Sequence, residues 1–147
     1  MERIDNFQPY EREVALELID EAIKTPDLAG YRCIVAVEPA GETETPVGYI
    51  CFGRTPMTEG TFDLYWIAVD KSQRNKGVGA KLIGAMDEVL LHNGGRIVRL
   101  ETSSMETYQG TVQFYLNAGF IEAGRIPGFY KPGDDLVIFF KALGKPA

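Results

Sequence analysis

The residues most able to do chemistry in this chain cluster at one turn. Arg74-x-x-Gly77-x-Gly79 is ringed by Lys71, Lys76 and Lys81, in a chain whose formal net charge is −6. Residues 62–69 before it are apolar and aromatic with β-branched members, the composition of a buried strand. After it, Val78, Leu82, Ile83, Met86, Val89 and Leu90 recur at helical spacing. A helix that opens on glycines aims about four unpartnered N–H groups, and roughly half a positive charge, at one point. Without side chains, Gly77 and Gly79 let an anion approach the backbone closely. The pattern predicts a seat for a di- or polyphosphate across Arg74, Asn75, Lys76, Gly77, Val78, Gly79 and Ala80. A tight turn that merely needs glycine is the plainer alternative, and it does not account for the basic ring. A Walker loop is excluded for want of Gly-Lys-Ser/Thr, and Leu82 stands where a dinucleotide fingerprint needs a small residue.

The elements that must hold this turn follow from periodicity and breakers. Residues 9–24 read as an amphipathic helix, ended by Thr25-Pro26-Asp27. Strands are predicted over 31–38, 47–54 and 62–69, with turns at 39–46 and 55–60, giving an antiparallel meander. The helix after the glycine turn ends at Gly94-Gly95, and 96–101 is a strand. A helix crosses between 62–69 and 96–101, so these two strands run parallel. A short helix over 108–117, a strand over 120–125, a Pro132-Gly133 turn and a strand over 136–143 complete the chain. The fold class is α+β: a central mixed sheet with helices on both faces, in one domain over 1–147.

Bulk properties exclude several functions. Net charge −6 and a pI near 4.8 argue against a nucleic-acid or membrane surface. No apolar run approaches the roughly 18 residues that span a bilayer. The first five residues are polar and carry no signal-peptide pattern, so a cytoplasmic location is expected. Cys33 and Cys51 lie in apolar strand-like runs and are expected to be reduced core cysteines. His92 falls at a helix end, which suits a cation. With one histidine, neither a metal site nor a Ser–His–Asp triad is expected.

Strand, Arg74-x-x-Gly77-x-Gly79 turn and helix together resemble the acetyl-CoA pyrophosphate loop of the GNAT superfamily of N-acetyltransferases. Phe114-Tyr115-x-x-x-Gly119-Phe120 resembles the second signature of that superfamily. The element order is similar to the GNAT fold from the first helix onward, although only residues 1–7 stand where the family has a further strand. The resemblance implies acetyl-CoA as co-substrate and two parallel central strands that splay apart. The pantetheine arm would lie between them, pairing like an added strand with Ile67, Ala68 and Val69. A bulge in that strand would free the backbone groups of Ile67 and Val69. One departure is Tyr108, which stands where the family often has a cofactor-binding asparagine.

By the same resemblance Tyr115 is the candidate general acid, protonating the departing thiolate, with a core-facing aromatic as its bland alternative. The acceptor amine must be neutral: at pH 7 a lysine-like amine costs roughly 4.6 kcal/mol to deprotonate, an α-amine about 1 kcal/mol. Asp63, fourteen residues before Gly77, occupies the place of a glutamate base in some histone-type members. Glu101 is the second candidate base, and Ser103 and Ser104 after it could hold a relay water. Asp63 is equally readable as a solvated strand-end charge, and a water chain could replace a dedicated base. Tyr130, Asp134 and Asp135 would lie by the acceptor cleft, as amine ligands or as a solvated turn.

The expected activity is direct acetyl transfer, in a ternary complex, to a primary amine of a small molecule or peptide, with a homodimer compatible with the resemblance. Two other classes stay open: a non-catalytic acyl-CoA-binding or regulatory module, and a flavin- or nucleotide-binding domain.

Overall fold

A computed structural model describes residues 31–40, 43–71, 77–105 and 109–144. The expected helix over 9–24 lies outside them. The described chain runs β1 (Tyr31–Ala40), β2 (Thr43–Arg54), β3 (Thr61–Val69), α1 (Val78–His92), β4 (Ile97–Ser103), α2 (Gln109–Asn117), β5 (Ile121–Lys131) and β6 (Asp134–Ala142). The strands form one sheet in the order β1-β2-β3-β4-β6-β5. Its neighbours are antiparallel except for β3 and β4, which pair in parallel. The α+β mixed sheet is as expected.

One face of the sheet carries the core. Leu82, Ile83, Met86 and Leu90, the buried stripe of α1, pack on Ile50, Phe52, Phe62, Leu64, Val98, Leu100, Val137 and Phe139. Tyr115 of α2 and Phe120 belong to the same cluster. Both described helices therefore cover one face. The helix end is as predicted: Gly94 is left-handed at φ 75°, and the Gly95 N–H bonds the Leu90 carbonyl at 2.7 Å.

Three expectations change, the first being the turn over 39–46, most of which is strand because β1 runs to Ala40 and β2 starts at Thr43. The cysteines are not reduced. Cys33 and Cys51 stand opposite each other across β1 and β2 and are joined as a disulfide. The reason is hairpin register, because pairing from Tyr31↔Gly53 to Ala36↔Gly48 brings them face to face. They lie with Tyr49, Trp66 and Ala68 in a second, smaller cluster. The strand expected over 120–125 extends to Lys131, because Ala123 and the four residues 127–130 are accommodated as breaks in register against β6.

Candidate active site

The sheet is split along its parallel seam. β3 and β4 share three register pairs, Thr61↔Ile97, Phe62↔Val98 and Asp63↔Arg99, and then part. Beyond that point β3 stays bonded to β2 as far as Val69↔Gly48, and β4 stays bonded to β6 as far as Ser103↔Leu136. The facing edges of residues 64–69 and 100–103 are left without each other. Two residues past the last shared pair, the β2 register shifts between Cys51 and Phe52, whose partners are Trp66 and Leu64, so Tyr65 is an extra, bulged residue. Such a bulge bends its strand and increases the local twist. It falls two residues before Ile67, within the open stretch of β3 that runs to Val69. The resulting V has backbone donors and acceptors along both arms.

The glycine turn lies past the end of β3. Gly77 is left-handed at φ 80° and caps α1 without a side-chain bond. A Cβ there would meet nothing within 4 Å, so its requirement is conformational. The first helical bond runs from the Lys81 N–H to the Gly77 carbonyl at 3.0 Å. No acceptor among the described residues takes the N–H groups of Val78, Gly79 or Ala80. Val78 and Gly79 are half-buried, and Ala80, Lys81 and Lys71 are exposed. Arg74, Asn75 and Lys76 lie outside the described residues, as does Tyr108.

Gly79 has a second reason to be glycine. A Cβ there would come within 2.8 Å of the Phe114 ring. The start of α1 is thus docked on α2, one residue from Tyr115. Gly48 does the same for the sheet: its Cβ would stand 3.0 Å from the Ala68 carbonyl oxygen and 3.3 Å from side-chain carbons of Val78 and Leu82. Neither Gly48 nor Phe114 is singled out by periodicity, because the space each guards belongs to a different element.

Tyr115 is buried among aromatics. Its ring meets Phe114 at 5.5 Å, Phe120 edge-on at 5.7 Å and Phe139 at 6.3 Å between centroids. Burial pushes its phenol well above the ordinary value, so the proton is retained. The end of α2 is fixed by Lys141, whose Nζ donates to Asp87 Oδ2 at 2.7 Å and to the Ala118 carbonyl at 3.3 Å, and lies 4.8 Å over the Phe120 ring.

On the face away from the two described helices the candidates are charged. Asp63 is buried, and its Oδ1 accepts a hydrogen bond from Arg99 Nε at 2.8 Å. That bond raises the Arg99 guanidinium above its ordinary value, against desolvation and helped by Glu101 and Tyr65. Glu101, half-exposed, lies 3.7 Å from Arg99 Nη1. Tyr130 is raised by burial first, then by the charges of Glu101 and Asp134, which places its hydroxyl in their field. Asp134 is buried and accepts a short hydrogen bond from Ser103 Oγ. The Asp135 N–H donates to Ser104 Oγ at 2.8 Å, and Asp135 Oδ1 accepts from the Gly128 N–H at 2.9 Å. Both serines are therefore engaged by the β5–β6 hairpin, and Asp134 is no solvated turn residue. Sequence reading missed Arg99, although its alternation with Glu101 on one strand face was available as a signal.

The chain matches the Acetyltransferase (GNAT) family over residues 2–120. A crystal structure assigned to the GNAT acetyltransferases, from Desulfovibrio desulfuricans, superposes with a TM-score of 0.84 at 37% identity, over 94% of this chain and 84% of that one. An aminoglycoside 6′-N-acetyltransferase crystallised with coenzyme A shares the fold at a TM-score of 0.67 and 17% identity, over 98% and 99% of the two chains. The S-(2-succino)cysteine N-acetyltransferase of Bacillus subtilis (strain 168) is 23% identical over 73 residues, 50% of this chain and 44% of that protein. The matched region spans less than half the length of the curated relatives.

Proposed function

The chain belongs to the acetyltransferase (GNAT) family, and from that premise we propose that it moves an acetyl group from acetyl-CoA directly to a primary amine of a small molecule or peptide. The observation that carries this reading is the seam that opens after three pairs, with first-turn amides just beyond its β3 arm that no described residue accepts from. An amide-rich arm can pair along the V as an added strand, offered backbone groups by Ile67, Ala68 and Val69. Its diphosphate suits the start of α1 at Gly77, Val78, Gly79 and Ala80, with Arg74, Asn75 and Lys76 completing the seat.

The residues then divide the proton traffic. The new bond joins the amine nitrogen to the acetyl carbon, and the carbon–sulfur bond breaks. Tyr115, kept protonated by burial, gives its proton to the departing sulfur. The ammonium proton leaves on the opposite face, toward Glu101 or a water held there, and a water chain restores the phenol. Tyr130 and Asp134 border the acceptor, and the local excess of carboxylates favours a cationic one.

Calorimetric titration with acetyl-CoA tests the first half: no micromolar binding sinks it. A thiol-release panel of polyamines, amino acids, aminoglycosides and peptide N-termini tests the second. The non-catalytic acyl-CoA-binding reading draws on one observation, that Arg99 occupies the Asp63 carboxylate. Binding without turnover on any amine of the panel would establish it instead.

A further inference from the structure

We propose that Arg99 is a positioning residue: by tying Asp63 at the last pair shared by β3 and β4, it fixes where the two strands part and so where the cleft closes. The inference deepens the acetyl-transfer reading and rests on it.

The ion pair and the end of the seam coincide. Asp63↔Arg99 is the third and last register pair, and the same two side chains are joined at 2.8 Å. Their neighbours Phe62, Leu64, Val98 and Leu100 all point into the helix-side core, so strand alternation sends Asp63 and Arg99 together to the other face. A parallel ladder of three pairs is short, and each arm beyond it is held by a different neighbour, β2 on one side and β6 on the other. Nothing in backbone pairing alone says that the strands must separate after the third pair and not after the second. A charge-assisted bond across the third pair holds the strands together that far, so the opening starts beyond it. It also reaches forward: Nη1 of the same guanidinium lies 3.7 Å from Glu101, the second residue of the open β4 arm. On β3, Tyr65, whose bulge starts the other arm, adds to the field at Arg99. One planar group thus touches the closed seam and is felt on both arms, a task that suits the fixed fork of arginine.

A merely decorative pair behaves differently. The Arg99 side chain is 42% exposed, and an ion pair of that exposure ordinarily contributes little to stability. A positioning role instead predicts a local effect on the seam and on the ligand that enters it.

The test compares wild type, Arg99→Met and Asp63→Asn, the last keeping the shape of the carboxylate should the first variant not fold. Amide hydrogen exchange is read at those amides of residues 61–63 and 97–99 that bond across the β3–β4 seam, against the amides that bond across β4–β6, and acetyl-CoA affinity is read by calorimetry. The expected result is a melting temperature within a few degrees of wild type. Exchange at the seam should be at least ten-fold faster with β4–β6 unchanged, and acetyl-CoA should bind at least five-fold more weakly. The double variant should be no worse than the poorer single one. Arg99→Lys, which keeps the charge, should recover part of the affinity. Wild-type binding together with unchanged exchange and affinity in both variants overturns the positioning role alone. Failure of the wild type to bind acetyl-CoA overturns the acetyl-transfer reading, and the positioning role with it.

Discussion

The two faces of the split sheet solve different problems with different chemistry. The helix face is apolar, and its one polar group of interest, the Tyr115 hydroxyl, is on a ring packed by Phe114, Phe120 and Phe139. The opposite face gathers Asp63, Arg99, Glu101, Tyr130 and Asp134, most of them paired or in each other's field. In the proposed reaction Tyr115 enters each turnover protonated, which suits a place where ionisation is penalised. In the proposed acetyl transfer, the fixed charges of the other face would suit a cationic acceptor. The same backbone serves both, because alternate residues of β3 and β4 point to opposite sides.

The comparison can be broken at its strongest point first. Tyr115→Phe should lower kcat by about 10²-fold or more while leaving acetyl-CoA affinity nearly unchanged, as measured by thiol release and calorimetry. Equal loss of affinity would make Tyr115 a packing residue. Because burial raises this phenol, kcat should show no loss from tyrosinate formation up to pH 10, the ordinary tyrosine value. The sign for stability is the reverse of gain: above that pH the unfolded chain ionises first, so the native state loses ground.

On the charged face, reducing or replacing the Cys33–Cys51 bridge should cost about 3 kcal/mol of stability, read by denaturant titration, since it closes a hairpin of moderate length. A cost near zero would mean that the small cluster around Tyr49 holds without it. Back on the helix face, Gly79→Val should cost about 1–3 kcal/mol by pressing on Phe114. It should also weaken acetyl-CoA binding, because the start of α1 must shift. Glu101→Gln is expected to have the smallest effect, about three- to ten-fold in kcat/KM for the acceptor, with cofactor affinity unchanged. A change in cofactor affinity would show that the faces are not separate.

Much of this arrangement was legible in the chain. Helical spacing of Leu82, Ile83, Met86 and Leu90 identified the buried stripe of α1, and Pro132-Gly133 identified the last hairpin, where Gly133 is left-handed at φ 83°. The strand-to-helix turn was legible because glycine there breaks the apolar strand and opens the periodic helix, and Gly77 is left-handed at φ 80°. The bridge of Cys33 and Cys51 is not legible in composition, because it depends on the register of the β1–β2 hairpin, which includes a shift between Ala36 and Val37. β5 runs past residue 125, the end expected for it, because residues 127–130 are absorbed as a break in register against β6. The Asp63–Arg99 pair joins two strands through a parallel register, which no local pattern specifies.

Lys141 carries a consequence for anyone who labels this protein. Its side chain is 11% exposed, and its ammonium is held by Asp87, the Ala118 carbonyl and the Phe120 ring. Amine-directed reagents should modify the exposed Lys71, Lys81 and Lys131 in the native protein and spare Lys141 until α2 detaches. Mass spectrometry of that single side chain would then give a built-in gauge of whether the helix bearing Tyr115 is seated.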